Sequence, residues 1–322
     1  MENQDIIDVI LQFQIRQNEK GYKRVLLQLF GFLGHGKSAF VNSIKYSLSN
    51  GDYQMMAKSF DSYGGHTTER LAYKLTECIS IVDNRGYAHM KDEENGQIYA
   101  QLGNFLPLNQ KVTWEKDFVS IMSKVEDSDK EPNYSDFIVP IFVCSVKKTM
   151  TDEESLLLKT LFRNCRDLTG VYPIVVLTHK SSNPSYSHLD VIFKGAGAEQ
   201  IHAVENYTLQ DTMKTRGRCH DLLAVIGNAL DDVKFRMNQP RNPVEERIDR
   251  KKFLMKFAYE FTVAQKLREV ALAYELKTAQ KLKEAAQEYE RKIVERERDA
   301  TKKENQRLRA AASKMWFGRF PD

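Results

Sequence analysis

The chain has 322 residues, 48 Lys+Arg against 44 Asp+Glu, 42% hydrophobic residues and four cysteines, a composition that predicts one large domain with an appendage. Cys78, Cys144, Cys165 and Cys219 stand far apart with no Cys-x-x-Cys pair, which argues against a disulfide scaffold or a Cys/His zinc module and predicts a reducing, cytoplasmic setting. No apolar run approaches the roughly 18 residues of a membrane span, and Glu2 and Asp5 stand where a signal peptide carries basic residues.

Residues 1–20 open with Ile6, Val9, Ile10 and Phe13 at the spacing of a short amphipathic helix. From residue 21 a larger unit begins with Val25 to Phe30, an apolar run of the kind found in a strand covered on both faces. Similar runs recur at Cys78 to Val82, Phe137 to Cys144 and Pro173 to Leu177, and a short one at Ile201 to Val204. Helical segments at Lys37 to Leu48, Asp152 to Leu168 and Arg216 to Arg236 alternate with them, which predicts a mostly parallel α/β sheet with helices on both faces. Arg70 to Thr76 alternates Leu71, Tyr73 and Leu75, the pattern of a half-exposed strand, expected at the sheet edge and antiparallel to its neighbour. Residues 87–136 read as a long insertion with one helix around Gln97 to Phe105.

Gly31-Phe32-Leu33-Gly34-His35-Gly36-Lys37-Ser38-Ala39 lies between the first strand and the first long helix and fits Gly-x-x-x-x-Gly-Lys-Ser/Thr. Its glycines let backbone amides converge on phosphate oxygens. The helix start adds positive potential, Lys37 reaches the terminal phosphates and Ser38 ligates Mg²⁺, so the motif predicts a nucleoside triphosphate site. Asp83-Asn84-Arg85-Gly86 closes the Cys78 run; Asp83 is placed to hold the metal through water and the Gly86 amide to meet the terminal phosphate. Gly64-Gly65-His66-Thr67-Thr68 precedes the edge strand, where a switch threonine, Thr67 or Thr68, would close over Mg²⁺. Thr178-His179-Lys180-Ser181 follows the Pro173 strand, with the Lys180 stem available to cover a base and His179 to stack or bond. Glu205-Asn206 begins a further loop able to wrap it.

The residue after Asp-x-x-Gly is Tyr87, where many small GTPases place a water-orienting Gln, and bulky Leu33 sits within the phosphate loop. The expected hydrolysis is therefore slow. His35, Arg85 and His66 are the candidates to orient water or neutralise charge, with Thr67, Thr68 and His35 forming the catalytic set.

After Asn238 to Pro243 the chain is helix-forming from Val244 to Phe317, with neither Pro nor Gly. This segment and its tail carry 20 basic and 14 acidic residues, leaving 28 and 30 for the rest, so a near-neutral mean conceals a slightly acidic front and a basic extension. Phe253, Leu254, Phe257, Phe261, Leu267, Val270 and Tyr274 give its first half, to Leu276, a broad apolar stripe suited to packing. The Leu282, Ala286, Tyr289, Ile293 seam runs into Arg296 and Glu297, so a sustained heptad coiled coil is not expected. The aromatic and basic end, Lys314 to Phe320, would suit weak contact with a membrane surface. Basic residues interleaved with acids, and the absence of a recognised module, predict no nucleic acid partner.

Taken in order, these motifs make residues 22–236 resemble the translation-factor-related GTPases. Gly34 to Ile44, His66 to Arg70, Leu177 to Lys180 and Asn206-Tyr207-Thr208 resemble more narrowly the interferon-induced protein forty-four family, with septin-like and immunity-associated GTPases as wider relatives. The resemblance implies a P-loop GTPase domain over 21–238, binding of GTP or GDP with Mg²⁺ by Gly31, Gly34 to Ala39, Gly86, Thr178 to Lys180, Glu205 and Asn206, and metal contacts from Ser38, Asp83 and Thr68. It also implies self-association through the nucleotide face, to which the helices of 244–317 could add, and a role in innate immune or stress responses. The family pattern commonly has an Asp where this chain has Ser181, which leaves the choice between guanine and adenine open.

Overall fold

The computed structural model describes residues 2–15, 21–58, 68–113, 117–130, 132–183 and 185–317. The elements in chain order are α1 (Asn3–Gln12), β1 (Arg24–Gly31), α2 (Lys37–Leu48), β2 (Glu69–Lys74), β3 (Ile79–Asp83), α3 (Asp92–Leu102), β4 (Gln110–Lys111), α4 (Phe118–Asp127), β5 (Asp136–Ser145), α5 (Asp152–Thr169), β6 (Ile174–Thr178), α6 (Ser187–Gly195), β7 (Ile201–Ala203), α7 (Arg216–Met237) and α8 (Pro243–Phe317). Seven strands form one sheet in the order β4-β2-β3-β1-β5-β6-β7. The β1 to β3, β1 to β5, β5 to β6 and β6 to β7 pairs are parallel, and β2 runs antiparallel to β3. This is the expected α/β sheet with helices on both faces and a long C-terminal helix.

The central strands are apolar on both sides because both faces are covered. Val25, Leu27 and Leu29 of β1 join Ile79, Ile81, Ile141 and Val176 under α1, α2 and α7, while Phe30, Phe142, Val175 and Leu177 face a second core that includes Phe162 and Phe193. Phe142 packs edge-on to Phe30 and Phe162 at centroid distances of 5.3 and 5.2 Å.

Several expectations need correction. β2 is antiparallel as predicted but is not the outermost strand, because two residues of the insertion, β4, pair with Glu69 and Arg70. The insertion holds two helices rather than one. α4 is capped by Asp117, whose side chain accepts from the Ser120 amide, and it buries Phe118, Ile121 and Val125. α6 was not predicted at all and buries only Leu189 and Phe193. The chain forms two compact units, 1–261 and 262–322, so the division falls inside α8 rather than at Asn238 to Pro243. The reason is local packing: Leu254 and Ala258 are buried, Phe257 packs edge-on to Tyr99 at 4.9 Å, and Phe261 packs on Phe118 at 4.6 Å. Arg247 adds bonds to the Ser128 carbonyl and hydroxyl. Of the second unit, residues 263–313 are the exposed remainder of the helix, so Leu267, Val270 and Tyr274 of the expected stripe stand exposed rather than packed. The side chains of 314–317 and residues 318–320 of the aromatic, basic end lie outside what is described.

All four cysteines are free thiols. Burial pushes the Cys144 thiol up to about 12 and the Cys165 thiol well above its ordinary range. Cys219 is buried as well, whereas Cys78 is half-buried beside α1, its thiol donating to the Phe13 carbonyl at 3.1 Å. Among the described residues no helix is long and apolar enough to cross a membrane.

Candidate nucleotide site

β1 delivers Gly31 to the carboxyl edge of the sheet with φ +131°, and a Cβ there would stand 2.3 Å from the Val143 carbonyl oxygen. Only glycine admits that turn. The loop passes through Gly34 at φ +74° and Gly36 at φ +88°, and α2 starts at Lys37 with no side-chain cap, so its first amides are available to an anion. Ala39 lies in this first turn.

Lys37 bends back and donates to the Phe32 carbonyl at 2.8 Å and the Gly31 carbonyl at 3.4 Å. Burial lowers its pKa to about 8, against which the Asp83 charge works. Asp83, buried at the end of β3, accepts from the Ser38 hydroxyl at 2.5 Å through Oδ2. Its Oδ1 is buried with no partner among the described residues. Burial raises the carboxyl pKa, partly offset by Lys37 and the Ser38 bond. A hard cation satisfied by one carboxylate, one hydroxyl, water and phosphate oxygens suits this donor set. Among the described residues no cluster of three or more His, Cys, Asp or Glu offers an all-protein cage.

Asp83 and Gly86 are packed onto the phosphate loop as the motif requires. A Cβ on Gly86 would fall 2.4 Å from Lys37 Nζ and 2.5 Å from the Gly31 carbonyl oxygen. The Leu33 amide donates to the Tyr87 carbonyl at 3.0 Å and the Tyr87 amide to the Gly31 carbonyl at 3.2 Å. The Tyr87 ring points into the core against Phe32 at 5.7 Å, and its hydroxyl, raised well above its ordinary pKa by burial, has no described partner. It is not placed to orient water.

His35 accepts from the Ser145 amide through Nδ1 at 3.0 Å. Burial first, then Lys37, Lys148 and His179, lower its pKa to about 4. The neutral ring therefore carries its proton on Nε2 and offers a donor able to orient water but no charge to neutralise another. Arg85 donates to the Val112 carbonyl at 3.0 Å and so is engaged with the insertion. Thr68 is likewise tied outward, its carbonyl accepting from the Val112 amide at 2.8 Å; the described structure does not join it to Ser38 or Asp83. Gly64, Gly65, His66 and Thr67 lie outside the described residues.

The loops after β6 and β7 close the other side. The Thr178 hydroxyl donates to the His35 carbonyl at 2.9 Å and Asn206 Nδ2 to the Gly36 carbonyl at 3.2 Å, so both loops grip the phosphate loop. His179, at φ +60°, sets Nδ1 3.0 Å from the Ser145 hydroxyl and 3.1 Å from that of Thr178, and burial with nearby Lys147 lowers its pKa. The Lys180 amine is paired with Asp221 of α7, which anchors the head of the side chain whose stem is expected to cover a base. The Ser181 amide and hydroxyl both donate to Glu205 Oε2, the amide at 2.7 Å. Arg218, not singled out in the sequence, donates to the carbonyls of Glu205 and Asn206 and stacks over Tyr207 at 4.1 Å, fixing the second loop. Arg70 was missed as well. Fully buried, it bonds Asn84 Oδ1 at 2.9 Å, Gln28 Oε1 at 3.0 Å and Asn104 Oδ1 at 2.9 Å, linking the loop after Asp83 to the insertion.

No protein-family model matches the sequence. No curated protein matches it either. Among solved structures, Era in complex with MgGDPNP and nucleotides 1506–1542 of 16S ribosomal RNA superposes with a TM-score of 0.37 at 14% identity, over 65% of this chain and 57% of that one. A structure of the chloroplast translocon components atToc33 and psToc159, in which dimerization is important for the GTPase activity, gives 0.38 at 14% identity, over 70% of this chain and 90% of that one. The chain thus spans less than two thirds of the Era chain it matches.

Proposed function

We propose that this chain is a GTP-binding P-loop protein with slow intrinsic hydrolysis that rises on self-association, acting as a nucleotide-dependent assembly switch. The observation that carries the phosphate and metal part is the buried Ser38 to Asp83 pair with its unpartnered Oδ1 beside Lys37 at the start of α2. Bound there, Mg²⁺ would neutralise charge on the terminal phosphates. Ser38 and Asp83 would hold it, Lys37 and the α2 amides would cradle the phosphates, and Thr67 or Thr68 would close over them.

Guanine presents two adjacent N–H donors and needs a carboxylate to receive them. Ser181 cannot supply one, but Glu205 is held against Ser181 through Oε2, so the carboxylate comes from the second loop. Acid extraction of the purified chain followed by chromatography should release guanine nucleotide. Adenine nucleotide would overturn the base assignment, and an empty Lys37 wild type the whole site.

The slow rate follows from Tyr87 being in the core and from His35 being neutral with Nδ1 engaged. Single-turnover hydrolysis should accelerate as protein concentration rises; a fast, concentration-independent rate would defeat this reading. The same buried Tyr87 favours one alternative, a nucleotide-binding scaffold with no meaningful turnover that works through α8. Equal mass in GTP analogue and in GDP would select it. A cytoplasmic setting and a role in immune or stress responses follow from cysteine usage and the interferon-induced protein resemblance; induction of the transcript by immune stimuli tests the latter.

A further inference from the structure

The second unit contains an internal repeat that the heptad frame hides. Residues 263–277 read VAQKLREVALAYELK and residues 278–292 read TAQKLKEAAQEYERK, identical at nine of fifteen positions. Residues 293–307 keep the basic columns, Lys266 with Lys281 and Arg296 and Lys277 with Lys292 and Arg307, but place Glu297 where the first two have Leu267 and Leu282. Both full copies lie within α8, so the period is one of a continuous helix.

Within each copy the apolar seam steps four, three, four and four residues: Leu267, Ala271, Tyr274, Thr278, then Leu282, Ala286, Tyr289, Ile293. Four turns in fifteen residues is a longer period than the 3.6 of a straight α-helix, the opposite sense from a heptad, and gives a seam that winds right-handed. The Leu and Tyr side chains of this seam stand 66–72% exposed in the single chain. A large apolar residue at every second seam position, seven or eight residues apart from Leu267 through Tyr274 and Leu282 to Tyr289 with small or short side chains between, is a regular spacing that scattered surface exposure does not account for.

We propose that this face pairs with the same face of a second copy of the chain, the two helices running parallel. Charge selects the occupant and the direction. Lys266, Lys277, Lys281 and Lys292 border one side of the seam, while Glu275 and Glu290 border the other, with Arg268 and Lys283 further round toward solvent. In a parallel two-fold pair the opposite borders of the two seams meet, Glu against Lys; in an antiparallel pair each border meets its own kind, Lys against Lys. Glu275 and Glu290 beside the seam, with Glu269 and Glu284 behind, disfavour an anionic membrane as the occupant. The pairing uses no residue of the nucleotide site and stands whether or not that site binds guanine.

The full chain should sediment as a dimer at micromolar concentration, and Leu267→Glu with Leu282→Glu should weaken association at least tenfold. Glu275→Lys with Glu290→Lys should also weaken it, and Lys266→Glu with Lys281→Glu in the partner copy should restore it. In a Cys78→Ser background, Ala271→Cys and, in a separate variant, Ala286→Cys should each cross-link to its own copy on mild oxidation, because a parallel pair in register aligns both positions and an antiparallel pair at most one. Helix content and bound nucleotide, measured on each variant, should not change. A monomeric wild type, a dimer indifferent to the double Glu variant, a dimer lacking one or both of these cross-links, or a monomer recruited to phosphatidylserine vesicles would each overturn the proposal.

Discussion

A methyl group on residue 86 would meet the amine of Lys37 and the carbonyl of Gly31 at less than 3 Å. Lys37 is buried and cannot retreat without breaking its bonds to Phe32 and Gly31. Gly86→Ala should therefore displace the lysine and forfeit a charge-assisted bond of ~1.5–3 kcal/mol, which weakens nucleotide binding tenfold to over a hundredfold. Calorimetric titration checks this, and unchanged affinity would mean the loop relaxes without moving Lys37. The lowered pKa of the same amine makes binding pH-dependent. Lys37 in the free protein loses its proton near about 8, and phosphate would hold that proton, so affinity should fall as pH rises through 8. Ligand-free stability runs the other way: between about 8 and the ordinary 10.5 the unfolded chain binds the proton more tightly, so stability rises across that window. Fluorescent-nucleotide titrations and denaturation at pH 7 and 9 should show the opposite slopes.

Single elements show how far the sequence could be read. The phosphate loop was legible because its chemistry fixes residue types at fixed spacing next to a strand, and the Asp83 strand followed from its apolar run. β4 was not, since two exposed residues carry no period, and α6 offers only Leu189 and Phe193 as inward positions. α4 does carry Phe118, Ile121 and Val125 at helical spacing, a pattern that the reading of a single helix in the insertion passes over. Arg70 looked like an ordinary strand charge; its role depends on Gln28, Asn84 and Asn104 meeting from three other segments, which no local pattern announces. The same holds for Ser181 and Glu205, 24 residues apart and joined only in the fold. At the start of α8 the apolar stripe was visible but its destination was not. A chain ending at Asn238 strips Leu254 and Phe257 from the core beside Tyr99, whereas one ending at Phe261 keeps them. The first should melt far below the second, and Leu254→Ala alone should cost ~2–5 kcal/mol; thermal unfolding compares the three.

For the molecule as a whole, the near-neutral average charge separates into a slightly acidic first part and a basic helix, as the sequence suggested. The proposed phosphate site would have its own positive field from Lys37 and the α2 amides, and would need nothing from the basic excess. Most of that excess lies along the exposed helix in ordered columns rather than in one block, which is the arrangement of a surface that discriminates orientation.

The unequal burial of the four thiols has a practical corollary. Cys144, Cys165 and Cys219 are buried, the first two with pKa values raised so far that almost no thiolate forms near neutrality, while Cys78 alone is half-accessible at the start of β3. The folded protein should take up one equivalent of a maleimide dye per chain and the denatured protein four, counted by intact mass. Because the Cys78 thiol rests on the Phe13 carbonyl, a dye placed there would report the seating of α1 on the sheet. The wild-type chain thus comes with its own single attachment point for fluorescence, needing no engineered residue.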